Sequence, residues 1–416
     1  MPAGTEPSVL AVAASPANRS YRALLAVPTL GRILLAMEIA RIGQSMVAIA
    51  MVLFTLVLFH SPVLAGLVTF ATTFPGIVAS PIAGALLDRH GRTRLVTLNY
   101  VVAATALALM SVLATEGLLT PWLLLLIAAL ASLTAPLSST GLRSLFPIIV
   151  PQHLWERANA ADSVGYVAAT IVGAPLSGFL VGFWGPEPAL LLIAGIFAVA
   201  AIVVVGLQEP HAAVASTGRL WVDAWQGLVY TWHNRTLRAL GFSISSLGLS
   251  GGVNAIVIPL IVLGRLHMGP AVVGIVFACQ GLGGVLAALL AGRLDTTGRE
   301  RRMIVLSAVG SGLAFSLLIP DAGPFLVLGA MVLLGTLNGP SDIAMFTLRQ
   351  RRTDPRWIGR AFAVSMALNS LGTPIGAALG GILAGSSLPA AVSLGVAGCF
   401  LGALFAHRLI PDQAAA

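Results

Sequence analysis

The segment GALLDRHGRTRL at residues 84–95 is the most informative part of the chain, because a related segment, AGRLDTTGRERR, recurs at residues 291–302. Each copy is a short polar stretch between two long apolar runs. Aligned on their aspartates, Asp88 and Asp295, the copies share four more residues: Leu87 with Leu294, Gly91 with Gly298, Arg92 with Arg299, and Arg94 with Arg301. Two copies at equivalent places indicate a duplicated structural unit.

The composition of the chain excludes an ordinary soluble protein. Of its 416 residues 57% are hydrophobic and 9% are charged, and the mean hydropathy is +0.94. A soluble protein carries roughly 25% charged residues, so this chain has too few charges to cover a surface in water. High hydrophobicity excludes intrinsic disorder, and two cysteines exclude a disulfide scaffold.

Twelve apolar runs are long enough to cross a bilayer, which takes about 20 residues of helix. We predict an all-α membrane protein whose twelve transmembrane helices form two pseudo-symmetric six-helix bundles. The predicted spans are 32–59, 62–87, 94–115, 119–148, 158–183, 187–207, 237–263, 270–292, 303–320, 323–348, 358–384 and 388–409. The predicted units are an N-terminal tail (1–30), a first bundle (31–207), a linker (208–236), a second bundle (237–410) and a C-terminal tail (411–416).

All 23 basic residues are arginine, and they concentrate in every second connection between spans. The opposite connections hold almost no arginine beyond Arg265, but they carry Glu116, Glu187 and Asp321. By the positive-inside rule this predicts a bacterial inner-membrane protein with both tails in the cytosol. The arginines form no stripe or basic tail, so nucleic-acid binding is not expected.

The linker at 208–236 contains LWVDAWQGLVYTWHNRTLRAL, in which apolar and aromatic residues recur at helical spacing. This pattern predicts an amphipathic helix lying on the inner membrane surface. We expect Trp221, Trp225 and Trp232 to anchor it at the interface.

The first polar segment resembles the signature loop of the major facilitator superfamily, G-x-L-A-D-[RK]-x-G-[RK]-[RK]-x-L. The matching residues are Gly84, Leu86, Asp88, Arg89, Gly91, Arg92 and Leu95, and the segment departs from the signature at Leu87 and Thr93. The resemblance covers about residues 30 to 410. The stretch LFPIIVPQHLWERANAADS, residues 145–163, is also similar to the drug-exporter branch that includes macrolide and enterobactin exporters.

The resemblance implies that the signature loops latch the two bundles together in the outward-open state. The acidic residue would face the N-terminus of the eleventh helix, which favours an anion. The latch candidates are Gly84, Asp88, Arg89, Gly91 and Arg92 in the first loop and Asp295, Gly298 and Arg299 in the second. For Arg94 we favour a role in membrane topology alone.

Small residues recur every fourth position in four spans, which lets membrane helices approach closely. In the family these spans lie between the two bundles, so we expect the stripes at that interface. The packing candidates are Gly76, Gly165, Gly173, Pro175, Gly284, Gly372, Pro374 and Gly376. GAPLSG, residues 173–178, also resembles a degraded antiporter motif, which supports export.

Ionisable residues inside spans are costly and usually functional. Glu38 and Arg41 share one face of the first span with Gln44, and Asp342 lies in the tenth. We expect Glu38, Arg41 and Asp342 to couple transport to protons. Two alternatives stay open: Glu38 and Arg41 only neutralise each other, or Asp342 only pairs with Arg349. Asp162 fits a charge at a helix N-terminus better than a proton carrier.

Five amide side chains within spans are candidates to line a central cavity, although hydrogen bonds between helices are their more frequent use. They are Gln44, Asn254, Gln280, Asn338 and Asn369. The seven histidines lack metal-ligand spacing and no nucleotide-binding motif is present, so we expect neither a cofactor nor an enzyme.

The resemblance therefore implies a secondary active transporter that exports an apolar or amphiphilic small molecule, coupled to protons and working as a monomer in the lipid bilayer. Two alternatives remain: an uptake symporter for a polar nutrient such as a sugar, and a non-transporting sensor with the same fold.

Overall fold

A computed structural model describes residues 20–207, 209, 220–291, 296–319, 323–354 and 357–411. Throughout these ranges the regular structure is helical. The N-terminal half contains α1 (Tyr21–Leu25), α2 (Leu30–Phe59), α3 (Pro62–Ala71), α4 (Phe74–His90), α5 (Arg92–Thr115), α6 (Pro121–Ser132), α7 (Ala135–Gly141), α8 (Phe146–Ile149), α9 (Trp155–Trp184) and α10 (Pro186–Val204).

The linker contains one described helix, α11 (Leu220–His233). The C-terminal half contains α12 (Arg235–Leu260), α13 (Pro270–Ala291), α14 (Glu300–Ser316), α15 (Pro324–Arg352), α16 (Ile358–Ser370), α17 (Gly372–Ser386) and α18 (Leu388–Leu409). A π-helical turn at Ile261–Arg265 extends α12.

The predicted all-helical membrane fold is confirmed. In the described part of the chain, eleven helical stretches are long and apolar enough to cross a membrane. The ninth predicted span, 303–320, is represented by α14, which has 17 residues and ends at Ser316. It is shorter than each of the eleven stretches.

Three predicted spans are interrupted rather than continuous. The second divides into α3 and α4, the fourth into α6, α7 and α8, and the eleventh into α16 and α17. Proline explains the breaks, because it lacks an N–H and clashes with the preceding helical turn. Pro75, Pro136 and Pro374 each lie in the first turn of the helix that follows a break. Pro175 and Pro340, by contrast, lie inside continuous helices.

Each half places its first helix at the centre of its own packing. In the N-terminal half α2 packs against α9 and α10, and in the C-terminal half α12 packs against α17 and α18. The pairs α5–α10 and α14–α18 complete the outer layers. Phe54, Tyr100 and Phe315 are among the largest side chains fully buried in this core. The repeated pattern of contacts matches the duplication seen in the sequence.

The two ends of the bundle differ in charge and in how the halves meet. We call the end that carries Gly91, Glu209 and Arg299 the arginine-rich side, and the end that carries His60, Gly185 and Ser387 the arginine-poor side. The halves pack together through α3 with α17 and α9 with α13. The close approaches described next all lie near the arginine-poor side.

Glycine allows these approaches. A Cβ on Gly381 would lie 2.5 Å from the carbonyl oxygen of Pro62, and one on Gly66 would collide with the carbonyl oxygen of Ala377. A Cβ on Gly178 would lie 2.8 Å from the backbone nitrogen of Gly274. Toward the arginine-rich side, by contrast, the described parts of α4 and α16 do not pack against each other. The halves are therefore closed on the arginine-poor side and splayed on the arginine-rich side.

Candidate functional site

A cluster of four charged side chains links α2 to α9 in the N-terminal half. The Arg41 guanidinium donates to Oε1 of Glu38 at 2.9 Å and to Oδ1 of Asp162 at 2.5 Å. It also donates to the backbone carbonyl of Asp162 at 3.0 Å. Arg143 Nε lies 3.3 Å from the other carboxylate oxygen of Asp162. Two carboxylates and two guanidinium groups thus balance in charge.

Burial is graded across this cluster. The side chain of Asp162 is 3% exposed, those of Arg41 and Glu38 are 20% and 28% exposed, and that of Arg143 is 57% exposed. The Arg41 guanidinium also lies 5.7 Å from the ring centre of the exposed Tyr166, within cation–π range. Asp162 is therefore the buried anchor of the cluster, and Glu38 is a carboxylate that water and solutes reach.

Glycine on α9 permits this arrangement. A Cβ on Gly165 would occupy the space of the Glu38 carboxylate, and one on Gly173 would lie 3.2 Å from the carbonyl oxygen of Ile42 on α2. Because these positions have no side chain, α2 approaches α9 closely enough for Arg41 to reach Asp162.

The expected role of Asp162 as a charge at a helix N-terminus is wrong. Helix α9 begins at Trp155, so Asp162 is its eighth residue and lies outside the first turn. The sequence pattern placed the start of this span at 158, which brought Asp162 too close to the helix end. Arg143 was missed as well, because its contact with Asp162 depends on the folded path of the chain between α7 and α9.

Asp342 lies apart from this cluster on α15. Its side chain is exposed, and it forms no ion pair or hydrogen bond with the residues that the structure describes. The alternative pairing with Arg349 is wrong: Arg349 is fully buried and donates to the sulfur of Met366 at 2.7 Å. Asn338, one turn before Asp342, is also exposed.

We expect the exposed face of α15 to point toward the space between the halves. Beside that face Gly339 packs against α13, and about two turns further along the same face Arg349 packs against α16. Within these two spans, the eighth and the eleventh, α13 and α17 meet the N-terminal half, as α12 also does. That Asn338 and Asp342 face the space between the halves stays a prediction.

The other predicted cavity amides differ in exposure. Gln44 is exposed on α2 and Gln280 is half-buried, whereas Asn254 is buried and lies 3.5 Å from Gln280. Asn369 is also buried. Its amide oxygen accepts a hydrogen bond from the Arg349 guanidinium at 2.5 Å, and its amide nitrogen donates to the Ser365 carbonyl at 3.1 Å. Asn369 is thus used between helices rather than in a cavity, whereas for Asn254, which is buried beside Gln280, the cavity role stays a prediction.

The predicted packing glycines lie within one half, whereas Pro175 lies between the halves, where a Cβ on Gly274 of α13 would lie 2.8 Å from its Cα. Gly76 lies against α6, Gly165 and Gly173 against α2, Gly284 against α15, and Gly372 and Gly376 against α12. The predicted helices do meet at the interface, but through other small residues, including Gly66, Gly178, Gly274 and Gly381. The spacing identified close packing correctly; it contained no information on which face of a helix meets which partner.

Both signature loops turn at a glycine in the left-handed region. Gly91 has φ of +88° and Gly298 has φ of +74°, which favours glycine. Arg89 and Arg299 are exposed. Asp295, the surroundings of Gly84 and the side chain of Asp88 lie outside the described part of the structure. The latch contact expected for Asp88 thus stays a prediction.

Glu209, just after α10, contacts the first signature loop and was not predicted. Its carboxylate accepts the backbone N–H of Thr93, in the first turn of α5, and lies 3.6 Å from the position a Cβ on Gly91 would take. An anion there satisfies an otherwise unpaired N–H and complements the helix dipole. The sequence indicates this contact only through the position of Glu209, a single acidic residue next to an arginine-rich connection.

The linker helix α11 is present as predicted and contacts both halves, through α4 and α16. The Tyr230 ring stacks on Trp357 at 5.0 Å, and the Tyr230 hydroxyl accepts the backbone N–H of Asp354 at 3.0 Å. Trp225 and Trp232 are exposed, as interfacial anchors would be; the Trp221 side chain lies outside the described part. The described residues contain no group of three or more His, Cys, Asp or Glu side chains suited to a metal ion.

Residues 20–415 match the family described as transmembrane secretion effectors. The chain is 37% identical over 395 residues to an uncharacterised MFS-type transporter, y4rN, of Sinorhizobium fredii, covering 94% of this chain and 98% of that one. It is 27% identical to the multidrug efflux pump Tap of Mycolicibacterium fortuitum, covering 77% and 80%.

It is also 23% identical to macrolide efflux protein A of Streptococcus pyogenes, covering 74% of this chain and 78% of that one. Among solved structures, the crystal structure of the nucleoside transporter NupG superposes with a TM-score of 0.69 at 13% identity. That superposition covers 92% of this chain and 97% of NupG, and it shows a shared fold.

Proposed function

The chain belongs to the transmembrane secretion effector family of the major facilitator superfamily, and we propose that it exports an apolar or amphiphilic small molecule in exchange for protons. Two relatives are named as efflux proteins, one for multiple drugs and one for macrolides. Their names support export and a drug-like substrate.

The observation that carries proton coupling is the sharing of Arg41 between two carboxylates of unequal burial. The buried Asp162 pairs with Arg41 through Oδ1 and with Arg143 through Oδ2. Glu38 is the accessible member, so it exchanges a proton with the open side most readily. When Glu38 is protonated the cluster carries one surplus positive charge, which burial disfavours. Proton binding therefore destabilises this arrangement of α2 against α9.

Transport would follow by alternating access between the two sides. The present arrangement is open on the arginine-rich side, which we assign to the cytosol of a bacterial cell, with both tails there. A substrate would enter between the halves and pass the faces that carry Gln44, Asn338 and Asp342. The glycine contacts of α3 with α17 and of α9 with α13 would separate to release it.

In the outward-open state the signature loops would close the cytosolic side, with Asp88 and Arg92 as the latch. Glu209 already occupies the first turn of α5 in the present arrangement. Closure of the cytosolic side would therefore bring Asp88 toward α16 and α17, while the Glu209 contact preserves the conformation of the first signature loop. Asp342 remains a second candidate for coupling, because it is an exposed acid on the predicted cavity face.

Uptake of a polar nutrient is the alternative within transport. The likeness to NupG concerns the fold alone and assigns no substrate. The cavity side chains do not favour uptake: the exposed polar groups on α2 and α15 are few, and their neighbours are apolar. We therefore keep export as the proposed direction.

The test is transport in inside-out vesicles, with an amphiphilic fluorescent dye and a macrolide as probes. We expect accumulation that collapses when the pH gradient is dissipated and that survives vanadate. Glu38→Gln should abolish gradient-driven accumulation at normal protein levels. The matched control is Glu116→Gln, an exposed acid in an arginine-poor connection, which should transport like the wild type. Accumulation that ignores the gradient, or an active Glu38→Gln protein, would refute proton coupling through this cluster.

A further inference from the structure

A groove on the outer surface of the C-terminal half is separate from the cavity between the halves. It has a volume of about 310 Å³ and lies among the end of α13, the start of α14 and the middle of α15. Its walls include Met303, Leu306 and Ser307 of α14 and Leu337 and Pro340 of α15. Arg299, directly before α14, stands at its arginine-rich end.

The groove lies on the side of α15 away from Asn338 and Asp342. Successive residues of a helix are separated by about 100°, which places Leu337 and Pro340 on the side of α15 opposite Asn338 and Asp342. Helix α14 packs on α15 and α18, and Leu306 remains 58% exposed on its outer face. In a membrane this face meets lipid rather than water. The groove is thus open to the acyl chains of the bilayer.

The charge at its mouth is uncompensated within the described part of the structure. The acid next to Arg299, Glu300, is buried and forms an ion pair with Arg351. A guanidinium nitrogen of Arg301 lies 3.3 Å from Nδ1 of His407. Arg299 itself is exposed and has no ion pair or hydrogen bond there. A cation at the membrane surface above an apolar groove complements an anionic group joined to a hydrocarbon chain.

We propose that this groove is a binding site for one anionic phospholipid from the leaflet on the arginine-rich side. The headgroup phosphate would pair with Arg299, and an acyl chain would lie along Met303, Leu306 and Leu337. The distance fits: Arg299 and Ser307 are eight residues apart, which is ~12 Å along the helix axis. Basic sites between helices at the cytosolic surface bind such headgroups by the same electrostatics.

The site is independent of the direction of transport and of proton coupling. It rests on the lipid-facing groove and its arginine, neither of which belongs to the Arg41 cluster. Failure of the lipid proposal therefore leaves the proposed function intact, and the reverse also holds.

The test uses the full-length protein, purified in detergent and stripped of lipid. Native mass spectrometry with phosphatidylglycerol should show one tightly retained lipid, and phosphatidylcholine should be retained more weakly. Arg299→Gln should weaken phosphatidylglycerol binding about fivefold, the effect of one arginine near an anionic headgroup. Leu306→Trp, at an exposed position, should weaken both lipids by filling the groove.

The matched control is Arg302→Gln, which removes an equal charge from an exposed residue of the same helix that does not line the groove. It should change binding less than twofold. Equal weakening by Arg299→Gln and Arg302→Gln would show annular lipid attracted by surface charge and would overturn the proposal. Equal binding of soluble glycerol phosphate would also overturn it, because the groove would then contribute nothing. Unchanged melting temperatures of the lipid-free variants establish that they are folded.

Discussion

Replacing Asp162 with asparagine tests whether the charge cluster is anchored from its buried side. Asparagine keeps the shape of the side chain and removes its charge. Arg41 then keeps Glu38 and the backbone carbonyl of residue 162, but it loses the 2.5 Å contact to a carboxylate that is 3% exposed. Arg143 loses its partner too, although it is 57% exposed and turns to water.

The magnitude follows from these exposures. Removing one partner of a fully buried ion pair costs about 3–5 kcal/mol. Arg41 is 20% exposed and keeps two acceptors, so we expect the free energy of unfolding to fall by about 2–3 kcal/mol. Glu38→Gln removes only a partly exposed i,i+3 pair, which contributes about 1 kcal/mol or less. The buried carboxylate should therefore matter more to stability, and Glu38 more to transport.

The assay is unfolding in mixed micelles of detergent and SDS, followed by tryptophan fluorescence. A double-mutant cycle with Arg41→Gln isolates the pairwise term, which we expect at about 2 kcal/mol. The role of Asp162 as buried anchor is refuted if Asp162→Asn lowers the free energy of unfolding no more than Glu38→Gln does. It is also refuted if the cycle shows no coupling energy between Asp162 and Arg41.

Three further changes test the packing. Gly376→Ala should lower the melting temperature sharply, because its Cβ would collide with the backbone of α12; Gly329→Ala, with open space around it, should not. Tyr230→Ala should speed proteolysis of the linker, because the stack on Trp357 is worth roughly 0.5–1.5 kcal/mol beyond its buried area; Tyr230→Phe, which keeps the stack, should resemble the wild type. Gly66→Ala should shift the protein away from the arrangement closed on the arginine-poor side, seen as faster labelling of a cysteine introduced there; unchanged labelling would contradict the assigned interface.

Much of the fold follows from apolar run length and from the placement of arginine. The ends of α5, α10 and α18 fall within a few residues of prediction. Hydropathy averages over a window, however, so it did not show the breaks near Thr72 and Leu371. The prolines that explain those breaks were visible, but Pro175 looks the same in sequence and interrupts nothing.

The site was predictable only in part, for a related reason. Spacing along one helix placed Glu38 and Arg41 on a common face, because periodicity is a local property. Asp162 and Arg143 join them through contacts between helices, which depend on how α2 and α9 are oriented. The same gap separates Gly165, whose small size was recognised, from its actual partner, the Glu38 carboxylate.

The breaks in the second and eleventh spans have a consequence for the motion of the bundle. In each span the break separates the segment that holds the halves together, α3 or α17, from the segment on the splayed side, α4 or α16. A continuous helix would rotate as one rigid body, so that closing the bundle at one end would open it at the other. With a break acting as a hinge, α4 and α16 could move toward each other while the contact between α3 and α17 is kept. In the proposed transport cycle, these breaks would make an occluded intermediate accessible, closed at both ends around the substrate, and no continuous pore would open across the membrane.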